Sequence, residues 1–231
     1  MKFPVEETIR RRKSVRSYDG TPLTAEEEKQ IDGYIELLTQ EEVPFTARVT
    51  IKRIKAGDGV DAERLGTYGI IKGTSQFVGV TVENVPGAME AVGHPAEKRR
   101  MFDKVMRRTI GADKRKEWKE LFFLNDFQTP ISKEDAGAYA YPLEMVRLAP
   151  SAVNGQPWRI VKTNGACHFY KAGEVQPDKI YDVQKMDLGI AAAHFELAAR
   201  ERGLSGRFEK VDSVHVNGAE KYEYVFSWIE G

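Results

Sequence analysis

The sequence predicts an α+β fold, and three observations carry that prediction. Apolar residues recur at helical spacing in some segments and alternate at strand spacing in others. Capping and turn residues punctuate the breaks between those segments. The two kinds of element mix without the regular strand–helix–strand order of a parallel α/β sheet.

The elements follow in order. A short helix is expected near residues 5–13. Thr24 and Glu27 then form a capping box, in which Thr-x-x-Glu satisfies two free amides at a helix start. Behind it Ile31, Tyr34, Ile35 and Leu38 share one helical stripe, predicted to be buried. Ala47, Val49 and Ile51 alternate with Arg48, Thr50 and Lys52, which predicts a half-buried strand. Residues 77–82 (FVGVTV) are more apolar and predict a more central strand. Residues 95–125 read as charged helix with Met101, Phe102, Val105, Trp118, Leu121 and Phe122 as its buried faces. A polar, turn-rich connection at 125–136 is the best internal boundary, dividing the chain into halves 1–130 and 131–231.

The second half predicts a helix at 137–148, a loop at 149–157, a strand at 158–163 and a short strand around Cys167–Tyr170. Asp187 is expected to cap a helix with a broad apolar face of Leu188, Ala191, Ala192, Phe195, Ala198 and Ala199. Strands near 207–216 and 221–229 close the chain, the latter with Tyr224, Phe226 and Trp228 on one face.

Composition narrows the function classes. The 231 residues suffice for a substantial core. Thirty-five basic residues balance 35 acidic ones, so no global field attracts nucleic acid or an anionic membrane. No apolar run approaches the roughly 18 residues needed to span a bilayer, and MKFPVEETIRRRK lacks a signal-peptide core. A single cysteine, Cys167, fits a reducing compartment and a cytoplasmic protein. It is expected to be buried and inert. The histidines at 94, 168, 194 and 215 are scattered without zinc-site spacing, and His194 reads as a packing residue. GTYGIIKG at 66–73 has neither the dinucleotide-binding nor the P-loop pattern.

Three constellations carry chemistry. Arg12 and Arg16 lie four apart with Ser14 between them, and two guanidiniums with a hydroxyl suit a phosphate. From composition alone, the solvated face of a helix is the simpler reading. Gly93-His94-Pro95 leads into Glu97-Lys98-Arg99-Arg100, a loop and a basic helix start that either binds an anion or is solvated. Pro150-Ser151-Ala152-Val153-Asn154-Gly155-Gln156 lies between a helix and a strand, a natural ligand-binding position. By itself it reads first as a turn feeding the strand, with Trp158 as core.

In this combination the constellations resemble the FMN-dependent nitroreductase family. The resemblance is to a subgroup with two related halves in one chain, and YPLEMVRLAPSAVNGQPWRIV and MDLGIAAAHFELAARERGL share it. It implies a nitroreductase-like fold of mixed and antiparallel sheets flanked by helices, with an internal pseudo-dimer and one composite site. It implies FMN as cofactor, NAD(P)H as electron donor and a small acceptor such as a nitroaromatic or quinone, in ping-pong order through flavin N5. Arg12, Ser14, Arg16, Lys98 and Arg100 would hold the phosphate, with the register among Lys98, Arg99 and Arg100 open. Pro150, Ser151 and Asn154 would meet the ring or ribityl chain. No catalytic side chain and no metal are implied, and either a monomeric pseudo-dimer or a homodimer is compatible. The chain departs from the subgroup between Val82 and Val92, where nine residues replace a long apolar helix and a Gly-rich stretch. That departure keeps a second reading open, a non-catalytic flavin- or phosphate-binding relic of the fold.

Overall fold

A computed structural model describes residues 4–40, 49–55, 71–82, 85–98, 100–173 and 182–231. The chain is α+β, and it divides into two compact units. One comprises Met1–Arg12 and Ile110–Gly231, the other Lys13–Thr109. Among the described residues no helix is long and apolar enough to cross a membrane.

The first unit is built on a five-stranded sheet in the order β4-β5-β6-β8-β7, from β4 (Phe122–Leu124), β5 (Trp158–Thr163), β6 (Ala166–Ala172), β7 (Gly206–Glu209) and β8 (Tyr222–Glu230). β4 runs parallel to β5 and the remaining pairs are antiparallel, so the sheet is mixed. Helices α6 (Ala140–Arg147) and α7 (Val183–Glu201) supply Leu143, Val146, Leu188, Ala191 and Phe195 to a core shared with Trp158, Ile160, Cys167, Phe169 and Trp228. Phe195 is its hub, with ring centroids 5.5 Å from both Phe169 and Trp228. α1 (Val5–Arg11) adds Val5 and Ile9 to a satellite cluster with Met145 and Ala198. Cys167 is buried, which pushes its thiol up to about 12 and leaves it unreactive.

Several expectations are corrected here. Phe122 opens a strand, because α4 (Trp118–Leu121) lasts one turn and the backbone of Phe122–Leu124 then pairs with β5. The helix at 183–201 is capped by Asp182, whose carboxylate accepts from the Gln184 amide, while Asp187 is buried inside it. Tyr224 does not share a face with Phe226 and Trp228. A bulge sets Tyr224 opposite Tyr170 and Phe226 opposite Phe169, and the extra residue turns Tyr224 to the other side. The strand expected at 207–216 ends at Glu209.

The second unit holds α2 (Ala25–Gln40), α3 (Met101–Thr109) and a three-stranded antiparallel sheet, β1 (Val49–Lys55), β2 (Gln76–Val82) and β3 (Val85–Val92). β2 is central, as its apolar run predicts, and Phe77 is buried. The capping box forms: the Thr24 amide donates to Glu27 at 2.8 Å and the Glu27 amide to the Thr24 hydroxyl at 3.3 Å. The short segment after Val82 forms β3. Ala47 and residues 66–70 of the glycine-spaced run lie outside the described residues. The α2 stripe is split, with Ile31 and Ile35 half-buried and Tyr34 and Leu38 exposed, and on α3 Met101, Phe102 and Val105 are exposed.

Candidate functional site

The loop from Pro150 to Gln156 is held in a conformation that costs energy. Val153, Asn154 and Gln156 adopt φ of 45°, 58° and 48°, a left-handed region that side chains other than glycine rarely occupy. For a β-branched residue such as Val153 the strain is greatest, and single residues of this kind cost about 1–3 kcal/mol and concentrate at ligand sites.

Side-chain bonds supply the restraint. The Asn154 amide donates to the carbonyls of Gly111 at 2.7 Å and Lys114 at 2.9 Å, and its oxygen accepts from Arg115 at 3.2 Å. The Gln156 carbonyl oxygen, Oε1, accepts from the Lys116 amide at 2.8 Å. From the other side, Asp187 on α7 accepts from the Ala152 amide at 2.9 Å. Ser151 accepts from the Gln156 amide at 2.9 Å, which leaves its own proton to donate. The loop is therefore clamped between residues 111–116 and α7. Burial pushes the Asp187 carboxyl up to about 6, against the pull of the Ala152 N–H.

Both amide protons of Asn154 are spent on the protein's own carbonyls. Its role here is to brace the loop, while the Ser151 hydroxyl accepts from the Gln156 amide. Arg115 and Asp187 hold this loop, which their local sequence does not disclose. Arg115 stands in a run of charged residues, and Asp187 has the look of a helix cap.

Arg12 follows α1 in the same unit. His194 donates through Nδ1 to the Met145 carbonyl at 3.0 Å, in keeping with a packing residue. Burial lowers its pKa, and the positive charges of Arg12 and Arg115 push the same way.

In the second unit the N-terminal motif meets the Gly-His-Pro segment directly. The Asp19 amide donates to the His94 carbonyl and the Ala96 amide to the Ser17 carbonyl, each at 3.0 Å. On the other side the Tyr18 amide reaches the Lys72 carbonyl at 2.9 Å. Gly73 permits this approach: with φ +84°, a Cβ there would sit 2.1 Å from the Tyr18 carbonyl oxygen. Arg100 then ties the two motifs together. Its guanidinium donates to the Arg16 carbonyl at 3.2 Å, to Ser17 at 2.9 Å and to Asp103 at 3.1 Å. Ser17 also donates to Asp103. Burial alone would raise the Asp103 carboxyl, but the hydrogen bonds from Ser17 and Arg100 outweigh it and hold Asp103 below its ordinary value.

Arg16 and Arg100 are thus brought together, and Lys98 is exposed two residues before Arg100. Ser14 is half-buried on the same segment as Arg16, and Arg99 lies outside the described residues. Sequence reading missed Ser17 and Asp103, whose pairing has no local pattern.

Comparison with known proteins places this architecture. Residues 88–199 match the family model described as "Putative TM nitroreductase". A crystal structure described as "a putative nitroreductase" from Thermotoga maritima shares the fold. Its TM-score is 0.60 at 16% identity, with 100% of this chain and 95% of that chain covered. No curated protein matches the chain. The fold is therefore that of a nitroreductase. The matched span and this fold together make the chain nitroreductase-like.

Proposed function

We propose that this protein is an FMN-dependent oxidoreductase that passes electrons from NAD(P)H to a small organic acceptor. The observation that carries this reading is the clamped, left-handed loop at 150–156, which lies inside the span matched by the nitroreductase family model.

The donor set fits a ligand with a phosphate and a polar ring. Arg12, Ser14, Arg16 and Lys98 would hold the phosphate, with Arg100 contributing chiefly by fixing the Arg16 backbone. Ser151 would donate to the ring or ribityl chain, while Pro150 and Asn154 shape the loop that presents it. FMN, when bound, supplies a redox centre that accepts a hydride from NAD(P)H and then reduces a nitroaromatic, quinone or similar acceptor in ping-pong order. No side chain is asked to act as acid or base. We further propose two related halves, 1–130 and 131–231, and a cytoplasmic location for the reduced Cys167.

Purified protein is expected to bind FMN with a flavin absorbance spectrum that bleaches when NADPH is added anaerobically. Replacing Arg12 and Arg16 together with Ala is expected to weaken FMN binding on the order of a hundredfold in a fluorescence titration. Each hydrogen bond to a charged group contributes about 1.5–3 kcal/mol. Unchanged affinity in the double variant would overturn the phosphate assignment. One observation favours a second reading. The segment 85–92 is a strand in place of the family's helix, which suits a binder without turnover. In that case FMN binds but NAD(P)H does not bleach it.

A further inference from the structure

Buried and half-buried cations in this chain are met by carboxylates. Lys171, fully buried on β6, pairs with Asp182 and, at 2.8 Å, with Glu223. Arg53 has Glu28 and Asp32, and Arg147 has Glu144. Lys116 and Arg159 break that pattern. Both are half-buried, and among the described residues neither forms an ion pair. Both are tied to Gln156, which is buried. The Lys116 amide donates to Gln156 Oε1 at 2.8 Å. Arg159 Nη1 donates to the Gln156 carbonyl at 3.2 Å and the Trp158 carbonyl at 2.7 Å. That leaves Nε and Nη2, the side-on edge of the guanidinium fork, without an acceptor among the described residues.

Strand register sets the place. Trp158 and Ile160 point into the main core, so Arg159 between them points to the opposite face of the sheet, across from Tyr170. Tyr222 packs on that outer face and stacks on Phe127, with ring centroids 4.2 Å apart. Its hydroxyl lies within electrostatic reach of Arg159 and forms no hydrogen bond among the described residues. Burial, and then the charge of Arg159, push the Lys116 ammonium below its ordinary value, and burial lowers Arg159 as well. Glu120 acts on both from a distance, but it is exposed and accepts from the Glu117 amide at 2.7 Å. Two like charges withdrawn from water side by side destabilise the folded chain unless an anion joins them. We propose that Lys116, Arg159 and the Tyr222 hydroxyl form an oxyanion subsite for the carboxylate or phosphate group of a small molecule. The open edge of Arg159 grips two oxygens of that group, and Lys116 adds a point charge. None of these residues is among those assigned to the FMN phosphate, and the inference stands apart from the FMN reading.

NMR titration of the full chain with inorganic phosphate and, separately, with benzoate, at constant ionic strength, tests it. The Arg159 Nε–H and Lys116 amide resonances are expected to shift together and saturably with at least one of the two anions. Saturation by phosphate alone identifies a phosphate ligand, and saturation by benzoate alone a carboxylate. Lys116→Gln is expected to weaken binding about tenfold or more, as for a lost hydrogen bond to a charged group. Arg159→Lys should do the same, because a point charge cannot replace the fork. Replacing Arg12 and Arg16 together with Ala should leave these shifts unchanged, which separates the subsite from the FMN phosphate cluster. Without any anion, Lys116→Gln should unfold at the same temperature as the parent or a higher one, since it removes one of two like charges. Resonances indifferent to both anions overturn the proposal, as do shifts that vanish with Arg12 and Arg16. A lower unfolding temperature for the anion-free Lys116→Gln variant also overturns it, because the protein itself would then already partner Lys116.

Discussion

Asn154→Ala is expected to lower the stability of the ligand-free protein by about 2–4 kcal/mol. Its amide makes two bonds to carbonyls, at 2.7 Å and 2.9 Å, each contributing about 1 kcal/mol net. The left-handed backbone at φ 58° suits asparagine and costs alanine about a further 1–2 kcal/mol. For a chain of this size the thermal midpoint should fall by roughly 5–15 °C. Asn154→Gly is expected to recover the backbone part of the loss but not the hydrogen bonds. A residue that only touched a bound ring would leave the free protein unchanged, so differential scanning calorimetry without flavin separates the roles. An unaltered midpoint for Asn154→Ala would remove Asn154 from the brace and return it to the ring. If the brace is real, FMN affinity should also fall in proportion to the loss of loop order. Arg115, which donates to the Asn154 oxygen at 3.2 Å, should behave similarly when changed to Ala.

Local chemistry was legible in the sequence, and direction was not. The Thr24–Glu27 capping box, the strand at 158–163 and the central β2 are signals contained within a few residues. They need no partner to be read. The stripe of Ile31, Tyr34, Ile35 and Leu38 is also real, but periodicity states only that apolar residues share a side. It does not say how far that side faces the sheet, and Glu28 and Asp32 share the approach to β1 through Arg53 while Tyr34 and Leu38 stay exposed. The bulge that separates Tyr224 from Phe226 is likewise invisible, because it depends on register with β6. At the candidate site, the family resemblance implied that Arg16 and the Gly-His-Pro-Ala-Glu-Lys-x-Arg segment belong together, and Arg100 bonds the Arg16 carbonyl. The clamp was not. Val153, Asn154 and Gln156 carry no glycine signature for their backbone, and Arg115 and Asp187 act on residues far away in the chain.

Asp187 should make stability depend on pH in a narrow window. Its side chain is 4% exposed, and burial moves its carboxyl from an ordinary 3.8 to about 6 in the folded chain. The Ala152 amide opposes that shift, and the negative charge of Asp182 adds to it. Because the folded pKa is the higher one, the folded state holds the proton more tightly. Its contribution is complete below 3.8, falls as pH rises toward about 6, and is lost above it. The size follows from about 1.4 kcal/mol per unit, giving on the order of 2–3 kcal/mol. Asp187→Asn isolates the effect, since asparagine keeps an oxygen for the Ala152 amide and never ionises. Parent and variant should therefore converge near pH 4, and the variant should lead increasingly up to about pH 6 and by a constant margin beyond it. The Ala152 amide proton, bonded to the titrating oxygen, should shift in NMR spectra with the same midpoint. A midpoint near 4 would mean that water reaches this carboxylate. The loop would then be held from the 111–116 side alone, and the strain at Val153 and Asn154 would have to be borne by Asn154 and Gln156.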